Sequence, residues 1–299
     1  MRIFGPVPSR RLGNSLGIDL CPYKTCTYDC IYCELGRTTR LTIKRRRFFS
    51  VEEILKDFKT VNLKNVDYIT FTASGEPTLY KGIDKVLERV KKITDIPKVL
   101  LTNGSLFFLK SVRREVSNFD IIMPNLDAVK KDTFLKINRP HHLLELKEII
   151  NGLKLLRKEY KGKIFLEILF VKGFNDTDEE IKEMKRVIEY LSPDRVQLNT
   201  VYRVGVEKYA RSLNREELYQ IKNYFGKSAE VVGEYKKKKE AIIKKRMIEE
   251  IIKHRPITLS DLKKLTGLSS DKISSILLDF FKENKIVRKG RFYVWKFNN

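Results

Sequence analysis

The sequence predicts an α/β chain: a partial (β/α)6 TIM-like barrel over residues 1–233, followed by a small winged helix-turn-helix unit over 234–299. Three observations carry this. Short β-branched runs alternate with longer amphipathic stretches, the mark of βα units in a parallel sheet. Six such runs fit within about 200 residues, the size of an incomplete barrel. The pattern then changes near Gly233 to short helical patterns and a closing alternating hairpin.

The six strand runs are SLGIDL (15–20), VDYITFT (66–72), KVLLTNG (98–104), FDIIMPN (119–125), KIFLEILFVK (163–172) and RVQLNTVYR (195–203). Between them VEEILKDFKTV (51–61), GIDKVLERVKKI (82–93) and LLELKEIINGLKLLRKEY (143–160) have helical periodicity. Barrels of this kind place their chemistry at the C-terminal ends of the strands. In the tail, residues 235–254 read as a basic helix and ITLSDLKKLTG as a helix with Ser260 as N-cap and Gly267 as stop. A second helix follows, capped by Ser269 or Ser270, with Ile273, Ile276, Leu277, Phe280 and Phe281 on one face. KIVRKGRFYVWKF closes as a hairpin turning near Lys289-Gly290.

The chain has 299 residues, 42% of them hydrophobic and 33% charged, which suits one large or two ordinary domains and excludes a disordered chain. The N-terminus MRIFGPVPSRRLG has no apolar signal core, and no run approaches 18 apolar residues. We therefore expect a cytoplasmic protein without a membrane partner, its thiols kept reduced. The net charge is +23; residues 235–299 hold 18 Lys or Arg against 7 Asp or Glu, nearly half of the excess. A solvated Lys-rich surface explains part of this, and contact with a polyanion is the sharper reading.

The four cysteines are confined to residues 21–33: Cys21, then Cys26, Cys30 and Cys33 at spacings of four and three. A reduced compartment disfavours a disulfide knot. A four-thiolate zinc site that includes Cys21 is one alternative, although structural zinc sites prefer two ligand pairs. The other is an iron–sulfur cluster, three corners of which one tight loop can hold. Cys21, at the end of a buried strand, otherwise reads as a small apolar residue.

The run Cys26-Thr-Tyr-Asp-Cys30-Ile-Tyr32-Cys33 resembles the CxxxCxxC signature of the radical S-adenosylmethionine (SAM) superfamily, with an aromatic residue before the last cysteine. It lies just after the first strand run. Ser74-Gly75-Glu76-Pro77, ending the second, is similar to that superfamily's GGE-like motif, with Ser74 in place of the first glycine. The opening GPVPSRRLGNSLGIDL is similar to a group of archaeal and bacterial members usually called only Fe–S oxidoreductases.

The resemblance, over residues 10–205, implies a [4Fe–4S] cluster on Cys26, Cys30 and Cys33 with SAM on the open iron. It also implies reductive cleavage to a 5′-deoxyadenosyl radical that takes hydrogen from a substrate, with flavodoxin or ferredoxin as reductant. It implies SAM contacts from Tyr32, Ser74, Gly75 and Glu76, from Asn103 and Ser105 after the third strand, and from Asn125 and Asp127 after the fourth. With only Cys21 left over, the sequence disfavours subfamilies that carry auxiliary clusters. Candidate substrate groups are Arg10 and Arg11, then Asn138, Arg139, His141 and His142, then Asn199, Tyr202 and Arg203. Arg139 and Asn199 are the preferred catalytic candidates, and both histidines read as solvated. Three functions remain open: an enzyme acting on nucleic acid, most plausibly an RNA base, delivered by the basic tail; an enzyme on a protein, peptide or small molecule with the tail as docking module; or a redox- or SAM-sensing DNA-binding regulator.

Overall fold

The computed structural model describes residues 2–202, 205–232 and 245–296. The chain opens with a hairpin of two antiparallel strands, β1 (Ile3–Ser9) and β2 (Gly13–Asp19). A two-residue parallel pair follows, β3 (Thr25–Cys26) with β4 (Arg40–Leu41). Helix α1 (Val51–Lys59) begins at a capping box: the Ser50 hydroxyl accepts from the Glu53 N–H while the Glu53 carboxylate accepts from the Ser50 N–H. Then come β5 (Tyr68–Thr72), α2 (Ile83–Lys91), β6 (Lys98–Thr102), α3 (Lys110–Val116), β7 (Ile121–Pro124), α4 (Lys131–Asn138) and α5 (Leu146–Glu159). The unit ends with β8 (Lys163–Phe170), α6 (Asp178–Leu191), β9 (Arg195–Thr200), α7 (Arg215–Phe225) and β10 (Ala229–Val231).

Eight strands form one open sheet in the order β1-β2-β5-β6-β7-β8-β9-β10, all parallel beyond β2. This mostly parallel sheet contains the six strand runs read from the sequence. It adds a short seventh parallel strand, β10, and the antiparallel edge strand β1. The prolines at 6 and 8 argue against a strand, but an edge position with a register irregularity between Phe4 and Val7 accommodates them.

Strand residues alternate strictly. Ile69, Phe71, Leu100, Ile122, Leu166, Ile168 and Leu198 join the main core with the helices. On the opposite face Val99, Ile121, Met123 and Phe165, with Leu12, form a separate apolar cluster. The neighbours Thr70, Thr72, Leu101, Glu167, Leu169 and Asn199 on that face line a cavity.

The tail comprises α8 (Lys245–His254), β11 (Ile257–Thr258), α9 (Leu259–Thr266), α10 (Ser270–Lys282), β12 (Ile286–Lys289) and β13 (Phe292–Trp295). Its three strands form an antiparallel sheet in the order β11-β13-β12. Residues 235–244 of the predicted basic helix, and Arg203, lie outside the described residues. The N-cap of α9 is Thr258, whose hydroxyl accepts from the Asp261 N–H, and not Ser260; β11 hands directly into the helix. Gly267 ends α9 in the left-handed conformation and Ser269 caps α10, as expected. On α10, Ile273, Leu277 and Phe280 are buried, whereas Phe281 is 38% exposed.

The tail core is not closed on itself: Ile248, Ile251 and Ile252 of α8 pack in one cluster with Val7 and Phe4 of β1. Burying side chains of this size stabilises by about 1.5–3 kcal/mol each, so the tail is docked on the sheet edge by apolar contact. Among the described residues no helix is long and apolar enough to cross a membrane.

Candidate functional site

None of the four cysteines forms a disulfide. Three of the thiols face nitrogen donors. The Cys26 sulfur receives the Tyr28 N–H at 3.5 Å and the Asn103 amide at 3.7 Å. That of Cys30 receives the Asn138 amide at 3.5 Å, and that of Cys33 the Lys24 ammonium at 3.2 Å. Cys21 differs: its thiol donates to the Glu76 carbonyl oxygen at 3.2 Å, inside the core. The donor set is therefore three sulfurs on one loop, each with an N–H partner that suits anionic sulfur. Among the described residues no three His, Cys, Asp or Glu side chains converge on a single-ion site; in number and placement the three thiols suit a cluster held at three corners, and Cys21 is left as the small buried residue expected of it. Burial, with Glu76 adding to it, pushes the Cys26 thiol up to about 12; burial and then Asp127 push Cys30 well up. Thiols so placed keep their protons until a metal displaces them.

The cysteine loop is sewn to the segment after α4. Asp29 N–H donates to the Asn138 and Arg139 carbonyls, Ile31 N–H to Ile137, and His141 N–H to Thr27. Asp127, fully buried, anchors this seam. Its carboxylate accepts from the Tyr32 hydroxyl, from the Asn138 amide at 2.9 Å and from the Leu169 N–H at 2.9 Å. Burial raises its pKa against those hydrogen bonds. Asn103 and Ser105 hold the other flank: the Asn103 amide donates to the Thr27 hydroxyl at 2.7 Å, and the Ser105 and Thr27 hydroxyls pair at 2.8 Å.

The Ser74-Gly75-Glu76 turn closes on the same loop. Glu76 N–H donates to the Thr25 carbonyl, and a Cβ on Gly75 would stand 1.8 Å from that oxygen. Only glycine permits this approach. The buried Glu76 carboxylate accepts from Thr78 N–H, the Thr78 and Thr102 hydroxyls and Asn103 N–H, tying the end of β5 to the end of β6. Burial lifts its pKa more than these bonds lower it. Ser74 donates its N–H at 2.9 Å and its hydroxyl to Asp19, which is why serine fits where the motif usually has glycine.

A cavity of 310 Å³ lies beside the loop. Of the sequence-derived candidates it is lined by Tyr32, Cys33, Ser74, Asn103, Asn125, Asn199, Arg10, Arg11 and Tyr202. Gly75, Glu76, Ser105 and Asp127 stand behind it, within the loop-holding network. Arg139, a catalytic candidate from the sequence, does not line this cavity. It caps α4 in the left-handed conformation, and its guanidinium is committed to Glu207 at 2.8 Å and to the Tyr209 hydroxyl at 2.7 Å, outside the cavity. His141 and His142 stack on each other in a separate depression over α4 and α5.

Two residues that sequence reasoning passed over enter the cavity. Glu167 on β8 is ion-paired with Arg11, and its other oxygen accepts from the Asn199 amide at 2.8 Å. A lone carboxylate in an apolar strand run was the available signal. His254, from the end of α8, lines the cavity wall beside Arg255; no local pattern points to it.

The sequence model of the Radical SAM superfamily matches residues 20–188. A Brachyspira hyodysenteriae protein named GTPase Obg is 44% identical over 226 residues, 75% of this chain but 33% of that longer protein. A UPF0026 protein of Methanocaldococcus jannaschii is 39% identical over 237 residues, covering 78% of this chain and 73% of its own length. Among solved structures, TYW1 with a lysine-pyruvate adduct bound superposes with a TM-score of 0.54 at 19% identity, over 74% of this chain and 75% of that one.

Proposed function

Because the chain belongs to the radical SAM superfamily, we propose that it is an enzyme that carries one [4Fe–4S] cluster on Cys26, Cys30 and Cys33, cleaves SAM reductively and abstracts hydrogen from a nucleic-acid substrate, an RNA base. The observation that carries this reading is the arrangement of three thiols on one loop, each opposite an N–H donor, with Cys33 at the edge of a half-open cavity. Once bound, the cluster would supply the electron that breaks the sulfonium bond of SAM.

The residues of the chain divide the remaining work. Ser74, Asn103 and Asn125 offer polar groups to SAM from the cavity wall. Glu76, Ser105 and Asp127 hold the loop that those groups and the cysteines share. Asn199, Glu167 and Arg11 form a buried polar network on the same wall and suit the substrate. Filled by SAM and substrate, the half-open cavity would exclude water, which protects a reactive radical from side reactions.

The order of elements in the tail supports a winged-helix unit over 234–299, with α10 as recognition helix and the β12–β13 hairpin, bearing Arg288, Lys289 and Arg291, as wing. Phosphate contacts from these groups would hold RNA near the cavity. A second reading, a peptide or protein substrate gripped by the tail, is favoured by Leu278 and Phe281, both exposed on α10.

The test is anaerobic reconstitution and reduction with dithionite, in place of flavodoxin or ferredoxin, followed by SAM and assay for 5′-deoxyadenosine. Wild type should form it, and Cys30→Ala should lose both the visible cluster absorption and the product while retaining its far-ultraviolet dichroism. Absence of product in wild type would favour a sensing regulator. Bulk tRNA should stimulate the reaction and bind with a steep salt dependence; if it does neither, the peptide reading takes over.

A further inference from the structure

His254 joins the tail to the turn that closes on the cysteine loop. Its ring stacks on Phe4 with centroids 4.4 Å apart and planes 22° from parallel. Its Nδ1 lies 3.6 Å from the Asp19 carboxylate, and the side chain is only 15% exposed. Burial lowers its pKa against the pull of Asp19.

Asp19 is already committed on its other sides. It accepts the N–H and hydroxyl of Ser74 and the N–H of Cys21. The Ser74 carbonyl in turn accepts from Lys24 N–H at 2.6 Å, and the Lys24 ammonium reaches the Cys33 sulfur. A continuous polar chain thus runs from the end of α8, through Asp19 and Ser74, to the cysteine loop. The link from His254 to Asp19 is a 3.6 Å polar approach and the later links are hydrogen bonds; His254 is the member that comes from the tail.

We infer that His254 is a positioning residue supplied by the tail, which sets the Ser74-Gly75-Glu76 turn through Asp19 and so tunes the affinity of the cavity for SAM. The docked tail is then part of the cofactor site and not only a substrate tether. This rests on the reading of the cavity as the SAM site. His254 also lines the cavity wall, and through Asp19 it acts on the turn as an outer partner that fixes a binding group in place.

The experiment uses the full chain with its cluster loaded anaerobically, titrated calorimetrically with SAM in the absence of reductant. His254→Phe keeps a ring to stack on Phe4 but removes the polar edge, and should weaken SAM binding about fivefold with iron content and melting temperature unchanged. His254→Asn restores a donor near the Nδ1 position and should return affinity to within about twofold. Wild-type affinity in His254→Phe would overturn the inference. If wild type itself binds no SAM, the reading of the cavity fails first, and a second measurement still judges the link. The metal-free chain labelled with 15N-histidine has three histidines to assign. Asp19→Asn should shift the His254 nitrogens and leave His141 and His142 in place; an unmoved His254 would refute the link to Asp19.

Discussion

The cysteine loop and the tail reach the same cavity by opposite means. The loop is held by a dense set of hydrogen bonds over two buried side chains, Tyr28 and Ile31: Asp127, Asn138, Asn103 and the backbone of residues 137–141 take up its polar groups. The tail is held by apolar side chains, Ile248, Ile251 and Ile252 against Val7 and Phe4, with His254 and Arg255 as polar groups at the cavity. Directional bonds fix atoms to a few tenths of an ångström; apolar packing fixes an element as a whole and tolerates small displacement. The difference teaches that the loop is built for position and the body of the tail for attachment, with His254 carrying the tail to the turn.

The strongest way to break this contrast is at Gly75. Gly75→Val would drive a side chain into the Thr25 carbonyl next to Cys26. It should destabilise the barrel by about 3 kcal/mol in urea unfolding and lower bound iron after reconstitution by about tenfold. Full iron in that variant would mean that the turn does not position the loop.

The matching cut in the tail is Ile251→Ala, which empties a fully buried site on α8. A loss of about 3 kcal/mol is expected, read as a lowered melting transition of the tail by calorimetry. Because the loop is held separately, iron content should stay at the wild-type level. Loss of iron together with the tail would make the two regions one unit.

A finer probe of the loop is Asp127→Asn. The amide cannot accept all three bonds that the carboxylate takes from Tyr32, Asn138 and Leu169. The cost should be about 1–2 kcal/mol, with a shift in the near-ultraviolet signal of the tyrosines. An unchanged unfolding midpoint would show that the seam carries no weight at Asp127.

What the sequence made legible follows the same division. Cys26, Cys30 and Cys33 were readable because their spacing is local, and so were Gly267 and Ser269 as helix ends. The strand ends were readable as places, but not which residue there turns inward. Asn125 faces the cavity while Asp127, two positions on, has left the strand and points to the loop, so strand alternation no longer applies. Glu76 looked like a ligand for an ammonium group because it is a carboxylate after glycine; two of its four protein donors come from Thr78 and two from the neighbouring strand end, and the latter pair could not be read from residues 74–77. Strand β1 was hidden by its prolines, and His254 by a sequence distance of more than two hundred residues from Asp19. Contacts made only by tertiary packing leave no periodic trace.

The mildest prediction concerns Arg139, which the sequence put forward as catalytic. Its guanidinium bridges Glu207 and Tyr209 at the outer edge of the seam, with Asp29 at 3.8 Å, and its side chain is 29% exposed. Solvent screens such a pair, and Arg37 also reaches both Asp29 and Glu207. Arg139→Ala should therefore cost less than about 1 kcal/mol in urea unfolding and leave 5′-deoxyadenosine formation within about twofold of wild type. The paired variant Asn199→Ala removes the amide that donates to Glu167 inside the cavity. It should leave SAM cleavage in place and reduce hydrogen abstraction from the substrate, because Asn199 lines the wall assigned to that substrate. If Arg139→Ala silenced turnover with its cluster intact while Asn199→Ala did not, the chemistry would lie on the outer seam and not in the cavity.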